Sequence, residues 1–390
     1  MRCSVSRAAL VLAWLAIAPA VVAQQFNAPV ETKVATAPAP VLGVDGLMHV
    51  AYEVHVTNFY PANGPLLLTE LDVYAEGSET PVASYSGQDL LRLVKAPTER
   101  PSQGISVPAG SRTVLFLWIS WADGMMPVRG LWHRMYFKDA RDQPRILQGL
   151  NVSLTRQSPI VIAPPLRGSC FWLASEGPGN ARSHHWSSLL ALNGVVTIPQ
   201  RYAIDFVGLN ARGHALELPQ TTQGGSTNAD WFGYDAEVLA VADGVVRDAR
   251  DGEEDGRPMT PHAESTELTA RGLYGNFIVL EIAPDVFVHY AHLRRGSVGV
   301  HTGQHVRSGE VLARVGDSGN SALPHLHFHL SNRPVFEESE GLPFRFSRFT
   351  VQGTADEKVV LSSDSAWTPH PVEWQDAIPL DCAVLSFHSE

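Results

Sequence analysis

The 390-residue chain has little cysteine, little positive charge and, beyond its first two dozen residues, no long apolar run. Three cysteines, Cys3, Cys170 and Cys382, allow at most one disulfide. With Cys3 inside the N-terminal segment, a Cys170–Cys382 bridge and two free thiols both stay open. Lys and Arg number 29 against 40 Asp and Glu, for a net charge of −11. That balance argues against nucleic acid or an anionic membrane as the main partner. No segment after residue 23 is apolar enough to cross a bilayer, so no membrane span is expected once that segment is removed. Amphipathic helical patterns are also scarce: the second half offers one short candidate, Ser183–Leu192.

What is present begins with a leader. Residues 1–23 read as a secretory signal peptide, with Arg2 and Arg7 as the basic region, Ala8 to Val22 as the apolar core and Val21-Val22-Ala23 as the cleavage site. The mature protein is therefore expected to be exported, periplasmic or secreted. Residues 24–46 are rich in Ala, Pro and Val without a period and read as a flexible lead-in.

From residue 47 a period of two takes over. Met48, Val50, Tyr52, Val54 and Val56 alternate with His49, Ala51, Glu53, His55 and Thr57, which predicts a half-buried strand. Further strand-like runs are Leu66–Ala75, Val82–Tyr85 into Leu90–Val94, Thr113–Trp121, Leu131–Phe137 and Gly149–Thr155. Gly/Pro turn clusters separate them, so 47–157 reads as an Ig-like β-sandwich accessory domain. Its His49, His55 and His133 lack metal-ligand spacing and read as ordinary histidines. Residues 158–168 read as a linker, 169–340 as a second β-rich domain and 341–390 as a tail packed on it. The fold class is mainly β.

The chemistry-bearing stretch is Pro324-His325-Leu326-His327-Phe328-His329-Leu330, preceded by Gly316-Asp317-Ser318-Gly319-Asn320-Ser321. On an extended strand the three histidines share a face. Imidazoles crowded on one face repel when charged and lose hydration when buried. A bound metal or a shared catalytic task relieves both costs. Tyr290-Ala291-His292-Leu293 and Tyr202-Ala203-Ile204-Asp205 stand upstream.

These segments fall in a family order. Ala203-Ile204-Asp205 is followed by Val238 to Val246, Tyr274 to Leu280, Tyr290-Ala291-His292-Leu293, Val306 to Leu312 and Gly316 through His327. Residues 195–335 thereby resemble the lysostaphin/LytM-type zinc metallopeptidases, which cut peptide cross-links in bacterial cell walls. The resemblance implies an open antiparallel β-sheet with a groove across one face. It implies Asp205 and His327 as ligands of Zn2+, His325 as general base, and His292 as the residue that orients water or stabilises the developing oxyanion.

One position departs from the pattern. The family's first histidine ligand stands four residues before the aspartate, where this chain has Arg201. A guanidinium stays protonated and cannot ligate zinc. On a strand, positions four apart share a face, so Arg201 is expected to point towards Asp205 and to replace the metal with a fixed charge. The other possibility is a relocated ligand: His185 first, then His184, then His329. The expected function is an exported zinc endopeptidase acting on peptidoglycan stem peptides or cross-links. The alternative is an inactive relative that binds cell-wall peptide or activates a wall amidase.

Overall fold

The computed structural model describes residues 27–95, 104–122, 129–168, 170–216, 225–260, 269–356, 360–361 and 367–387. Residues 1–23, read from the sequence as a signal peptide, lie outside them. The fold is mainly β, with two packed sheets in the N-terminal half and one large open sheet in the C-terminal half.

In the N-terminal half, Leu47–Asn58 pairs along its whole length with Ser111–Ala122. The second sheet runs Pro81–Ser86, Leu66–Ala75, Gly130–Lys138, Pro144–Ser153. Val50, Tyr52, Val54 and Val56 meet Leu68, Leu71, Val73 and Met135 in one apolar core, the arrangement of a sandwich. Three expectations are corrected here. The lead-in is tied down: Glu31–Lys33 and Val41–Leu42 both pair with Leu47–Asn58. Strands of two or three residues are too short to show a period. Leu90–Val94 is no strand, since Gly87–Leu91 forms a short helix. Finally, the first strand is buried on both faces: Ala51, Glu53 and His55 are nearly as inaccessible as Val54. Its second face is covered by the C-terminal half, so Ala51 and Phe116 belong to that half's core.

The C-terminal sheet has eleven strands among the described residues. Its order is His305–Val306, Gly244–Arg250, Asn276–Ala283, Val286–Leu293, Leu326–Ser331, Ile204–Leu209, Phe171–Ser175, Ala383–Ser386, Phe349–Thr354, Val372–Trp374, with Gly341–Leu342 beside Leu326–Ser331. Two strands at the centre carry the chemistry. Asp205 stands opposite His327 on one side, and Ala291 opposite His327 on the other. Alternation sends Ile204, Phe206, Leu326, Phe328 and Leu330 into the apolar core and leaves Asp205, His327 and His329 on the other face. The segment read as a linker contributes Ile160–Ile162, paired parallel to Phe344–Phe346. The tail adds Phe349–Thr354 and Ala383–Ser386 to the sheet itself. Ser183–Leu192 forms no helix; it is a series of turns ending in the strand Leu190–Leu192. Cys170 and Cys382 are free thiols.

Candidate metal centre

The histidine face ends in a cavity of about 1200 Å³ lined by His184, His185, Asp205, His292, His325 and His327. Three imidazole nitrogens surround one carboxylate oxygen. His327 Nδ1 lies 2.9 Å from Asp205 Oδ1, and His325 Nε2 and His185 Nε2 each lie 3.5 Å from the same atom. His184, His185 and Asp205 also offer ligand atoms within 4.8 Å of one another. Burial pushes the Asp205 carboxyl up, but His185 and His325 outweigh it and hold it well below the usual range.

His185 sits at 1 % exposure. Its Nδ1 donates to the Glu176 carbonyl at 3.1 Å, which leaves a lone pair on Nε2. That Nε2 is buried and has no hydrogen-bond partner. Burial pulls the ring's pKa down to about 3, against the pull of Asp205, so the ring is neutral. A buried, unpartnered, neutral nitrogen aimed at a carboxylate suits a cation that accepts lone pairs. His184 is exposed and its Nδ1 lies 3.3 Å from Glu176 Oε2.

Arg201 is elsewhere, which corrects the expectation that it faces Asp205. The strand starts at Ile204, and residues 200–202 form a turn that sends the guanidinium away. There it bonds Glu53 of the sandwich and Glu340, with all three groups buried. Burial lowers the Arg201 pKa, but the two carboxylates outweigh that and raise it further above its ordinary value.

His325 donates through Nδ1 to the Leu323 carbonyl at 2.7 Å. Burial lowers its pKa, yet the Asp205 charge and hydrogen bond raise it overall. His292 has φ +60°, in the left-handed region that non-glycine residues rarely occupy. Its Nδ1 donates to the Ser318 carbonyl at 2.8 Å, and its ring centre lies 4.7 Å from that of His325. Burial, joined by His325 and His327, holds it well below the usual histidine range.

Sequence reasoning offered His329 as a third-choice ligand and passed over the rest of the layer behind these groups. His327 Nε2 lies 2.9 Å from His329 Nδ1 and 3.2 Å from Gln200 Nε2. His329 Nε2 is 3.4 Å from the Tyr274 hydroxyl. The His329 ring also stacks on His289 at 4.4 Å and 6°. His329 is thus engaged behind His327 and away from Asp205. Alternation puts His329 on the face of His327, but spacing carries no signal for His289, which only strand register places opposite His329.

Residues 229–337 match the family model for peptidase family M23. The chain carries a peptidase family M23 domain. The matched span holds His292, His325 and His327; Asp205 and His185 precede it. Curated relatives named DD-carboxypeptidase/endopeptidase, from Neisseria meningitidis and Neisseria gonorrhoeae, are 39% identical over 92 residues. That alignment covers 23% of this chain and 21% of theirs. Solved structures similar to this chain include the catalytic domain of the prophage-encoded protein EnpA from Enterococcus faecalis, at 15% identity, TM-score 0.26 and coverage of 47% and 93%. The catalytic domain of lysostaphin from Staphylococcus simulans matches at 18% identity, TM-score 0.23 and coverage of 44% and 86%. The assignment rests on the sequence match to the M23 domain.

Proposed function

We propose that the chain is an exported zinc-dependent endopeptidase that cuts peptide bonds in peptidoglycan stem peptides or their cross-links. The observation that carries this reading is the convergence of His185 Nε2, His325 Nε2 and His327 Nδ1 on Asp205 Oδ1 at the edge of one large cavity. The M23 match supports peptide hydrolysis, and the names of the curated relatives support a cell-wall substrate. The leader-like residues 1–23 support export. Among the described residues, no helix is long and apolar enough to cross a membrane.

Asp205, His185 and His327 would hold the ion through Oδ1, Nε2 and Nδ1. Zinc, when bound, supplies a Lewis acid that polarises the scissile carbonyl and brings the pKa of a water to about 7. With its Nδ1–H given to Leu323, His325 turns Nε2 towards Asp205 at 3.5 Å, and once that carboxylate held an ion the Nε2 would be left for a proton. It takes the proton of the attacking water and returns it to the leaving amine. Neutral His292 likewise has its Nδ1–H committed to Ser318, so its Nε2 accepts a hydrogen bond. That suits orienting the water better than donating to an oxyanion. Arg201, standing where the family has a histidine, is the reason to consider an inactive wall-binding or amidase-activating relative. Its engagement with Glu53 and Glu340 leaves Asp205 to the histidines, which supports the peptidase reading.

Metal analysis of the purified protein together with digestion of isolated peptidoglycan tests the reading. One zinc per chain and released muropeptides are expected, and Asp205→Ala loses both. Zinc-saturated protein that releases nothing, where lysostaphin works under the same conditions, rejects it.

A further inference from the structure

We propose that the N-terminal sandwich is a structural part of the metal centre, because its Phe116 and Trp118 hold, through Trp186, the loop that brings His185 to Asp205. This rests on the zinc reading above and assigns the sandwich a task that the M23 match does not reach.

The argument starts from Arg201. A residue bonded to Glu53 and Glu340 cannot ligate a metal, so the third ligand must come from outside the strand that carries Asp205. His185 supplies it from a segment of turns with no strand pairing of its own. The local bonds of that segment run among its own turns and back to Glu176 at the end of the strand Phe171–Ser175: Ser183 Oγ donates to the Glu176 carbonyl at 2.7 Å, the His185 backbone N–H to Ser183 Oγ at 3.1 Å, and Ser187 Oγ to the Ser183 carbonyl at 2.8 Å. With the His185 Nδ1 bond to the same carbonyl, they tie the loop to the residue after Ser175, the strand partner of Asp205, but they are few, and a segment of turns with few bonds opens at low cost.

The next residue supplies a second anchor, on the sandwich. Trp186 is 4 % exposed. Its ring meets Phe116 edge-on at 6.1 Å and 83°, and Trp118 at 6.0 Å and 68°. Both partners lie on the sandwich strand Ser111–Ala122, and Trp118 is itself stacked on His49 at 4.9 Å. Edge-on aromatic pairs add orientation to burial, and a close-packed interface passes position on to the adjacent residue. The same place on the sandwich performs a second duty. Glu53, which holds Arg201, is the cross-strand partner of Phe116. One sandwich residue pair therefore keeps the non-ligating arginine away and seats the loop bearing the replacement ligand.

The test measures zinc affinity of the full chain by competition with a chromophoric chelator, and the cobalt-substituted absorption spectrum. Trp186→Leu and the Phe116→Ala/Trp118→Ala double variant are expected to bind zinc roughly 10- to 100-fold more weakly, the range for residues that orient a ligand. Their cobalt spectra should report one histidine fewer, and Trp186→Phe should restore both readouts. Trp132→Ala, an aromatic truncation where the ring stacks on Tyr74 of the other sheet, controls for general loosening and should leave affinity unchanged. Affinities of Trp186→Leu within twofold of the unsubstituted chain overturn the proposal. If the double variant does not fold, the Trp186→Leu and Trp186→Phe pair decides. If the unsubstituted chain binds no zinc, the zinc reading fails first and this inference with it.

Discussion

At the scale of single residues, the centre is a matter of which nitrogen lone pairs are free. Two adjacent histidines differ entirely in this respect. His185 is buried with an unpartnered Nε2, whereas His184 is exposed beside Glu176. His185→Ala should therefore weaken zinc binding beyond the 10- to 100-fold typical of an orienting residue, and His184→Ala should change it by less than about tenfold. Dialysis against buffered zinc distinguishes the two. His329 belongs to the orienting class. Its Nδ1 contact at 2.9 Å fixes the ring of His327 from behind, so His329→Leu should lower zinc affinity by roughly tenfold. The His325-x-His327 spacing was legible in the sequence because alternation puts both on one face. His185 stood first among the alternative ligands there, but spacing alone could not show it beside Asp205; the turns after Ser175 bring it within 3.5 Å.

At the scale of elements, the loop Gly316 to Ser321 positions two rings at once. The Ser318 carbonyl holds His292, and Ser321 Oγ lies 3.3 Å from His325 Nδ1. The loop can do this because Gly319, at φ +76°, lies against the backbone of Gly275, where any Cβ would collide. Gly319→Ala should destabilise the fold by more than about 1 kcal/mol, read as a fall in melting temperature. Peptidase activity should fall further than the lost stability explains, as both rings shift. Leu66–Ala75 keeps in the fold the bounds its pattern predicts, whereas the run expected at Gly149–Thr155 is the strand Pro144–Ser153. The short pieces Glu31–Lys33 and Ile160–Ile162 showed no pattern, because they owe their conformation to a distant partner strand. The expected helix Ser183–Leu192 fails for a related reason: its Trp186 is claimed by the sandwich.

At the scale of the whole molecule, the two halves are joined by a buried ionic group. Arg201→Ala would leave Glu53 and Glu340 buried without their cation, and breaking such a pair costs about 3–5 kcal/mol. Chemical unfolding should register that loss. Burial already pushes the Glu340 carboxyl up despite Arg201. A second prediction concerns acid. In the sandwich, His133 donates to the Leu150 carbonyl at 2.9 Å, and its Nε2 lies 2.8 Å from the Tyr52 hydroxyl. Burial outweighs the Leu150 bond and lowers its pKa from 6.5 to about 4. The folded state therefore binds fewer protons, so this stability is present above pH 6.5 and is lost as pH falls towards 4. Between pH 7.5 and 5 the loss should be roughly 2 kcal/mol. Denaturant midpoints across that range should show it, and His133→Gln should flatten that part of the slope.

The sequence by itself determined the class of fold and most of the polar face, because both follow from period-two alternation and from residue chemistry that needs no distant neighbour. The position of Arg201 was decided only by the tertiary structure. Four residues apart means one face only on a continuous strand, and a turn at residues 200–202 breaks that geometry. The approach of His185 to Asp205 was likewise a tertiary decision, since it follows from how the turns after Ser175 pack against the sheet and the sandwich.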